Sequence, residues 1–268
     1  MVYSNKTSNK SELSSCHVYP GITYFIVISA YSGSDSSNQY LLRVKNYPFE
    51  DNDFNAKIFT FNYETYNNEI GDYITYDSRP GATNSLPHLW NMNYDAGEYL
   101  NNSVTPAYSV FPNSSVFVVN GHGEPGKVLF TPPSGNITTL YAKNNSDMTS
   151  SDKAINAYNY KALDNVDLAI YTGCECGITD PTYGNVVSET IKQGVLVCIS
   201  WKLPIYTDDG NTWLKYFFTN CYPMRSVESA ANAADAYTVI NGTAVYIDQN
   251  RIKQRYYGSS NLGSLAIG

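Results

Sequence analysis

Three histidines (His17, His88 and His122) and five cysteines (Cys16, Cys174, Cys176, Cys198 and Cys221) are all that this 268-residue chain offers for thiol–imidazole chemistry. One of each stands where such chemistry is usually built. His122 sits between two glycines directly after the apolar run 116–119, in the segment Asn120-Gly121-His122-Gly123-Glu124. Cys174 follows the apolar run 168–171, in Thr172-Gly173-Cys174-Glu175-Cys176-Gly177. If the two runs are neighbouring strands, thiol and imidazole meet across the sheet's rim as a nucleophile and its acid/base partner. Glycines on both loops let the backbone close on a bound peptide and turn N–H groups toward a developing oxyanion. A metal reading of Cys174, Cys176 and His122 lacks the fourth protein ligand that a structural zinc takes. No metal and no cofactor is therefore expected.

The elements that must position this pair are legible as alternating strands and helices. Strands are expected at 57–63, 115–120, 166–171, 195–200 and 243–247, and helices at 151–158, 185–193, 211–219 and 226–236, with a helical signal at 95–100. Residues 64–91 read as a long Asn/Asp/Gly/Pro-rich excursion, and the Thr/Pro/Asn-rich stretch 131–148 as a surface loop beside the cleft. Short, wholly apolar strands separated by helices describe an α/β fold with a mostly parallel sheet covered on both faces. Functional residues of such sheets lie just past the strand C-termini, where His122 and Cys174 fall. Upstream, 23–31 and 39–45 are β-patterned runs around a Gly/Ser/Asp/Asn loop, a hairpin signal. The expected division is therefore 1–47, a tail with a β-hairpin, and 48–268, the main domain.

Composition narrows the partners. Net charge is −7, and the 17 Lys and Arg are scattered singly, which argues against nucleic acid, whose phosphates require clustered cations. Charged residues are only 15%, replaced by neutral polar ones that include 25 Tyr and 29 Asn, so the surface is polar but weakly charged. No apolar window reaches the ~18 residues of a membrane span. The start carries no charged segment followed by an apolar one, so no signal peptide is expected in this chain. Five cysteines at this density do not describe a disulfide scaffold.

The ordered blocks resemble the caspase-fold (clan CD) cysteine peptidases, and more narrowly the CHAT branch that includes separase-like enzymes. Gly121-His122-Gly123 matches that branch's Gly-His-Gly, and Thr172-Gly-Cys-Glu-Cys-Gly177 its Ser-Ala-Cys-Glu-Thr-Gly, with Cys174 on the nucleophile. Gly173 stands for the commoner Ala and Cys176 for Thr. Residues 187–202 follow the branch's helix, Gly, apolar strand and Trp, and 226–234 resemble its Ser-Val-x-x-Ala helix. The likeness implies a caspase-like three-layer sandwich that hydrolyses peptide bonds through a thioester. In that scheme Cys174 attacks, His122 shuttles the proton, and the N–H groups of Gly123 and Cys174 bind the oxyanion. It also implies a substrate-binding role for Trp201 as a pocket wall, and for Asp208 and Asp209 as acceptors of a basic P1 side chain. Lys202 would instead favour an acidic one, and Thr172 stands where some basic-specific relatives carry an acid. Residues 20–44 resemble the last hairpin of the pre-peptidase C-terminal module of secreted hydrolases, which implies a secreted or cell-envelope location. The implied partner is a protein or peptide substrate. The alternative is a catalytically inactive caspase-fold binding or scaffolding module.

Overall fold

The structure, a computed structural model, describes residues 54–67, 71–92, 94–132, 135–202, 204–221, 226–241 and 255–257. The expected hairpin within 1–47 and the strand expected at 243–247 lie outside the described residues.

The strands are β1 (Asn55–Thr60), β2 (Asn62–Asn67), β3 (Asp72–Asp77), β4 (Asp95–Leu100), β5 (Val116–Asn120), β6 (His122–Glu124), β7 (Lys127–Phe130), β8 (Thr138–Tyr141), β9 (Lys153–Ala154), β10 (Leu168–Tyr171), β11 (Val197–Trp201) and β12 (Arg255–Tyr257). The helices are α1 (Arg79–Asn91), α2 (Val104–Val110), α3 (Val186–Lys192), α4 (Thr207–Cys221) and α5 (Val227–Asn241). The central sheet has the order β12-β11-β10-β5-β1-β4. Its strands β11, β10, β5, β1 and β4 run parallel, and β12 pairs antiparallel with β11 at one edge.

Alternating side chains of these strands build two cores. Ile58, Val118, Ile170 and Ile199 face α1, α4 and α5, where Trp213, Leu214 and Phe217 cover them. Phe59, Phe117, Ala169, Tyr171 and Cys198 face the other way, against α2, α3 and the small sheet β6-β7-β8-β9. Burial on both faces is why β5, β10 and β11, apart from the terminal Asn120, are apolar or small rather than alternating with polar residues. The result is three layers with the parallel sheet in the middle.

Four expectations are corrected. Residues 95–100 form the edge strand β4, although Ala, Glu and Leu favour a helix; register pairing of Asn55–Thr60 with Asp95–Leu100 overrides the local preference. Residues 151–158 form β9 and a single 3-10 turn instead of a helix, because the buried Asp152 carboxylate accepts from the N–H groups of Thr139 and Thr149 and holds the chain extended. The excursion at 64–91 contains the antiparallel pair β2–β3 and the helix α1, which Pro80 starts in its first turn. Within 131–148, residues Thr138–Tyr141 join the small sheet as β8.

Candidate active site

Parallel register puts the two loops side by side. Val119 is opposite Tyr171, and the Thr172 N–H donates to the Val119 carbonyl at 3.0 Å, so both strands deliver their loops at the same edge. Beyond that point backbone meets backbone. A Cβ on Gly173 would lie 2.7 Å from the Gly123 nitrogen; one on Gly123 would overlap the Cys176 sulfur, 3.1 Å from the Cys174 oxygen. These two glycines are what allow His122 and Cys174 to share one rim.

Cys174 is half-buried, whereas Cys176, Cys198 and Cys221 are fully buried, and all four thiols are free. Burial pushes the Cys176, Cys198 and Cys221 thiols up, so they stay protonated and inert. The residue after Cys174, Glu175, has φ 57°, a left-handed conformation uncommon for a residue with a Cβ. The turn is held by the Ile178 N–H on the Glu175 carbonyl and the Gly177 N–H on the Trp201 carbonyl, both at 2.8 Å. The Cys174 Sγ lies 3.3 Å from both the N–H and the carbonyl of Ile205, in the connection between β11 and α4. Among the described residues no hydrogen bond joins it to His122. Catalytic hydrogen bonds are often formed only with substrate present, so this geometry is compatible with a dyad.

Beneath the loops lies a buried polar lattice that no sequence signal indicated. Asn120 donates through Nδ2 to the Ser78 carbonyl and to Asn211 Oδ1, both at 2.8 Å, and accepts from Thr172 Oγ1 at 2.6 Å. Asn211 in turn accepts from the Gly81 N–H and donates to the Asp77 carbonyl. The first turns of α1 and α4 are thereby tied to the ends of β5 and β10. Each amide is satisfied, as burial requires.

The specificity residues expected from the sequence are distributed differently. Trp201 is fully buried, its ring edge to face with Trp213 at 4.9 Å, and presents no surface to a substrate. Asp208 and Asp209 occupy the first turn of α4 instead of a loop. Asp208 is exposed, while Asp209 is buried at 1%. Lys202 is exposed. Two residues missed from sequence are Tyr63 and Tyr76, paired across the β2–β3 ladder, whose rings lie 5.8 and 4.5 Å from the His122 ring. The available signal was the pair of tyrosine-bearing runs on either side of Gly71.

No protein-family model matches the chain, and no curated protein matches it. Solved structures do. One, described as "Structure of Protease", superposes with a TM-score of 0.54 at 15% identity over 81% of this chain and 49% of that one. This chain thus spans about half its length. The fold, a mostly parallel sheet between two layers, is shared with a protease of known structure. Caspase-1 from Spodoptera frugiperda (TM-score 0.47, 12% identity, 85% of this chain and 98% of that one) and the Arg-specific gingipain R (0.48, 12%, 81% and 48%) are also similar. Identities this low bear on the fold alone. No helix among the described residues is long and apolar enough to cross a membrane.

Proposed function

We propose that the chain is a cysteine endopeptidase of the caspase fold, with Cys174 as nucleophile and His122 as its proton carrier. The observation that carries the reading is the contact of the Gly123 and Gly173 backbones, which brings the one half-exposed thiol among the described residues onto the rim that holds His122. Burial lowers the His122 pKa from its ordinary 6.5, so the imidazole is neutral at pH 7 and free to accept a proton. In the proposed cycle His122 takes the thiol proton as sulfur bonds to the scissile carbonyl carbon. The oxyanion is held by the N–H groups of Gly123 and Cys174, and His122 returns the proton to the departing amine. Water activated by the same imidazole then hydrolyses the thioester and restores the thiol.

Specificity for a basic P1 residue rests in this reading on Asp208, the exposed carboxylate at the start of α4. Asp209 would reach a substrate only if that helix moved. Protein or peptide is the substrate class, and the secreted or envelope setting, the CHAT-like branch and the N-terminal accessory hairpin belong to the same proposal.

One observation favours the second reading, an inactive binding module: the thiol is already bonded to Ile205 on both sides. Iodoacetamide labelling at neutral pH separates the two. Alkylation of Cys174 well ahead of Cys176, Cys198 and Cys221, together with peptide-library cleavage that Cys174→Ala abolishes, supports the peptidase. Cleavage unchanged in Cys174→Ala refutes it.

A further inference from the structure

Among the described residues no carboxylate hydrogen-bonds His122 to orient it. Among the described residues no side chain or carbonyl hydrogen-bonds either ring nitrogen. A catalytic base is ordinarily oriented by a third group, and here the groups against the imidazole are aromatic. Tyr76 meets it edge to face, centroids 4.5 Å apart at 74°, and Tyr63 lies at 5.8 Å and 55°. The two phenol rings stack on one another at 5.3 Å and 27°, as partners in register on β2 and β3.

This hairpin is tied to the residues that lead into His122. At its base the Ser78 N–H donates to the Phe61 carbonyl at 2.9 Å, and the Phe61 N–H donates to Ser78 Oγ at 2.8 Å. The Asn120 amide donates to the Ser78 carbonyl, and a Cβ on Gly121 would stand 2.5 Å from the Phe61 ring. Residues 120 and 121 are thus locked to the hairpin's base immediately before His122.

We infer that the β2–β3 hairpin is a positioning device for the proton carrier: Tyr63 and Tyr76 clamp the His122 imidazole by ring contact, in place of a hydrogen-bonding carboxylate, and keep water from it. The inference rests on the reading of His122 as the residue that moves the proton. Packing against the rings takes the imidazole out of water, and that desolvation favours the neutral base over the imidazolium. A carboxylate partner would do the opposite. The titratable groups on the packed elements include Tyr63, Glu64, Asp72, Tyr73, Tyr76 and Asp77 from the hairpin, Cys174, Glu175 and Cys176 from the loop after β10, and the Glu124–Lys127 pair of the β6–β7 turn, joined at 2.9 Å. Burial is nonetheless the cause of the downward displacement of His122. The Tyr63 phenol is itself pushed up to about 12 by burial and by Tyr76, so its ring stays uncharged through the neutral range.

The test is an NMR titration of the three histidine rings, with His122 assigned by its loss in His122→Gln, run beside cleavage kinetics. In Tyr76→Ala the His122 midpoint is expected to rise toward the ordinary value of about 6.5. kcat is expected to fall about 10–100-fold with KM unchanged, the scale of a misplaced catalytic group. Tyr76→Phe, which keeps the ring, should leave both as in the wild type. Tyr76→Leu is the substitute if the alanine variant does not fold. A His122 midpoint that stays put in the folded alanine or leucine variant overturns the inference, as does a rise in KM alone, which would make the tyrosines a substrate surface. If the midpoint moves in a chain that cleaves no peptide, the clamp stands and the peptidase reading falls.

Discussion

The most direct test of the site's architecture is the packing of Gly123 on the loop after β10, because substitution there has a sign that only the structure predicts. Gly123 lies in β6 without a left-handed φ, so alanine suits its backbone. On conformational grounds alone Gly123→Ala would stabilise by about 0.4–1 kcal/mol. The new methyl, however, would overlap the Cys176 sulfur and stand 3.1 Å from the Cys174 oxygen and 3.2 Å from the Gly173 Cα. Non-bonded carbon contacts are optimal at about 3.5–4.0 Å, so sulfur and backbone must both retreat. Overpacking of this kind costs about 1–3 kcal/mol. Cys176→Ala by itself removes one buried heavy atom, a loss of about 0.5–1.5 kcal/mol by analogy with Ile→Val. Combined, Gly123→Ala/Cys176→Ala should be no less stable than Gly123→Ala, because the methyl occupies the volume the sulfur left and only the two backbone contacts remain tight. The expected coupling is at least the Cys176→Ala loss, about 0.5–1.5 kcal/mol, in favour of the double variant, within the range for touching residues. Urea unfolding of the four proteins, with m-values checked for constancy, measures it. A coupling below about 0.5 kcal/mol, or a single Gly123→Ala as stable as the parent, would mean that the two loops are not in contact as described.

Two further predictions concern stability. Asn185 caps α3 through its carbonyl oxygen on the Ser188 N–H at 2.9 Å while its amide donates to the Gly177 carbonyl at 2.8 Å; Asn185→Ala should lose about 1 kcal/mol of cap energy, read by thermal melting, and Asn185→Asp should keep the cap and lose the tie to the loop after Cys174. His122 and His88 both have pKa values lowered by burial, so the unfolded chain binds their protons first and stability should decline as pH falls below about 6.5 toward the folded-state values. His122→Phe should flatten part of that decline in a denaturation series from pH 7.5 to 5; an unchanged slope would contradict the burial of the imidazole.

The sequence by itself determined the parallel sheet and the rim. Runs such as 116–119, 168–171 and 197–199 are apolar at every position, a pattern that only burial on both faces rewards, and the residues following two of them are the ones that can do thiol chemistry. Asn185 and Gly194, which bracket α3, were legible for the same local reason: a side-chain cap and a φ of 116° are properties of single positions. Everything that depended on a partner distant in sequence was decided only by tertiary structure. Residues 95–100 form a strand because β1 supplies their hydrogen bonds, against a helical composition. Trp201 lies in the core because Trp213, on α4, comes to meet it, and of the adjacent carboxylates only Asp208 faces solvent because α4 begins one turn earlier than its apolar periodicity suggests. The lattice of Asn120, Thr172 and Asn211 and the tyrosine bracket on His122 join residues 46–134 positions apart. Local sequence carries no record of such pairings, since each side chain satisfies its polarity or its apolar area equally well until the fold selects its neighbour.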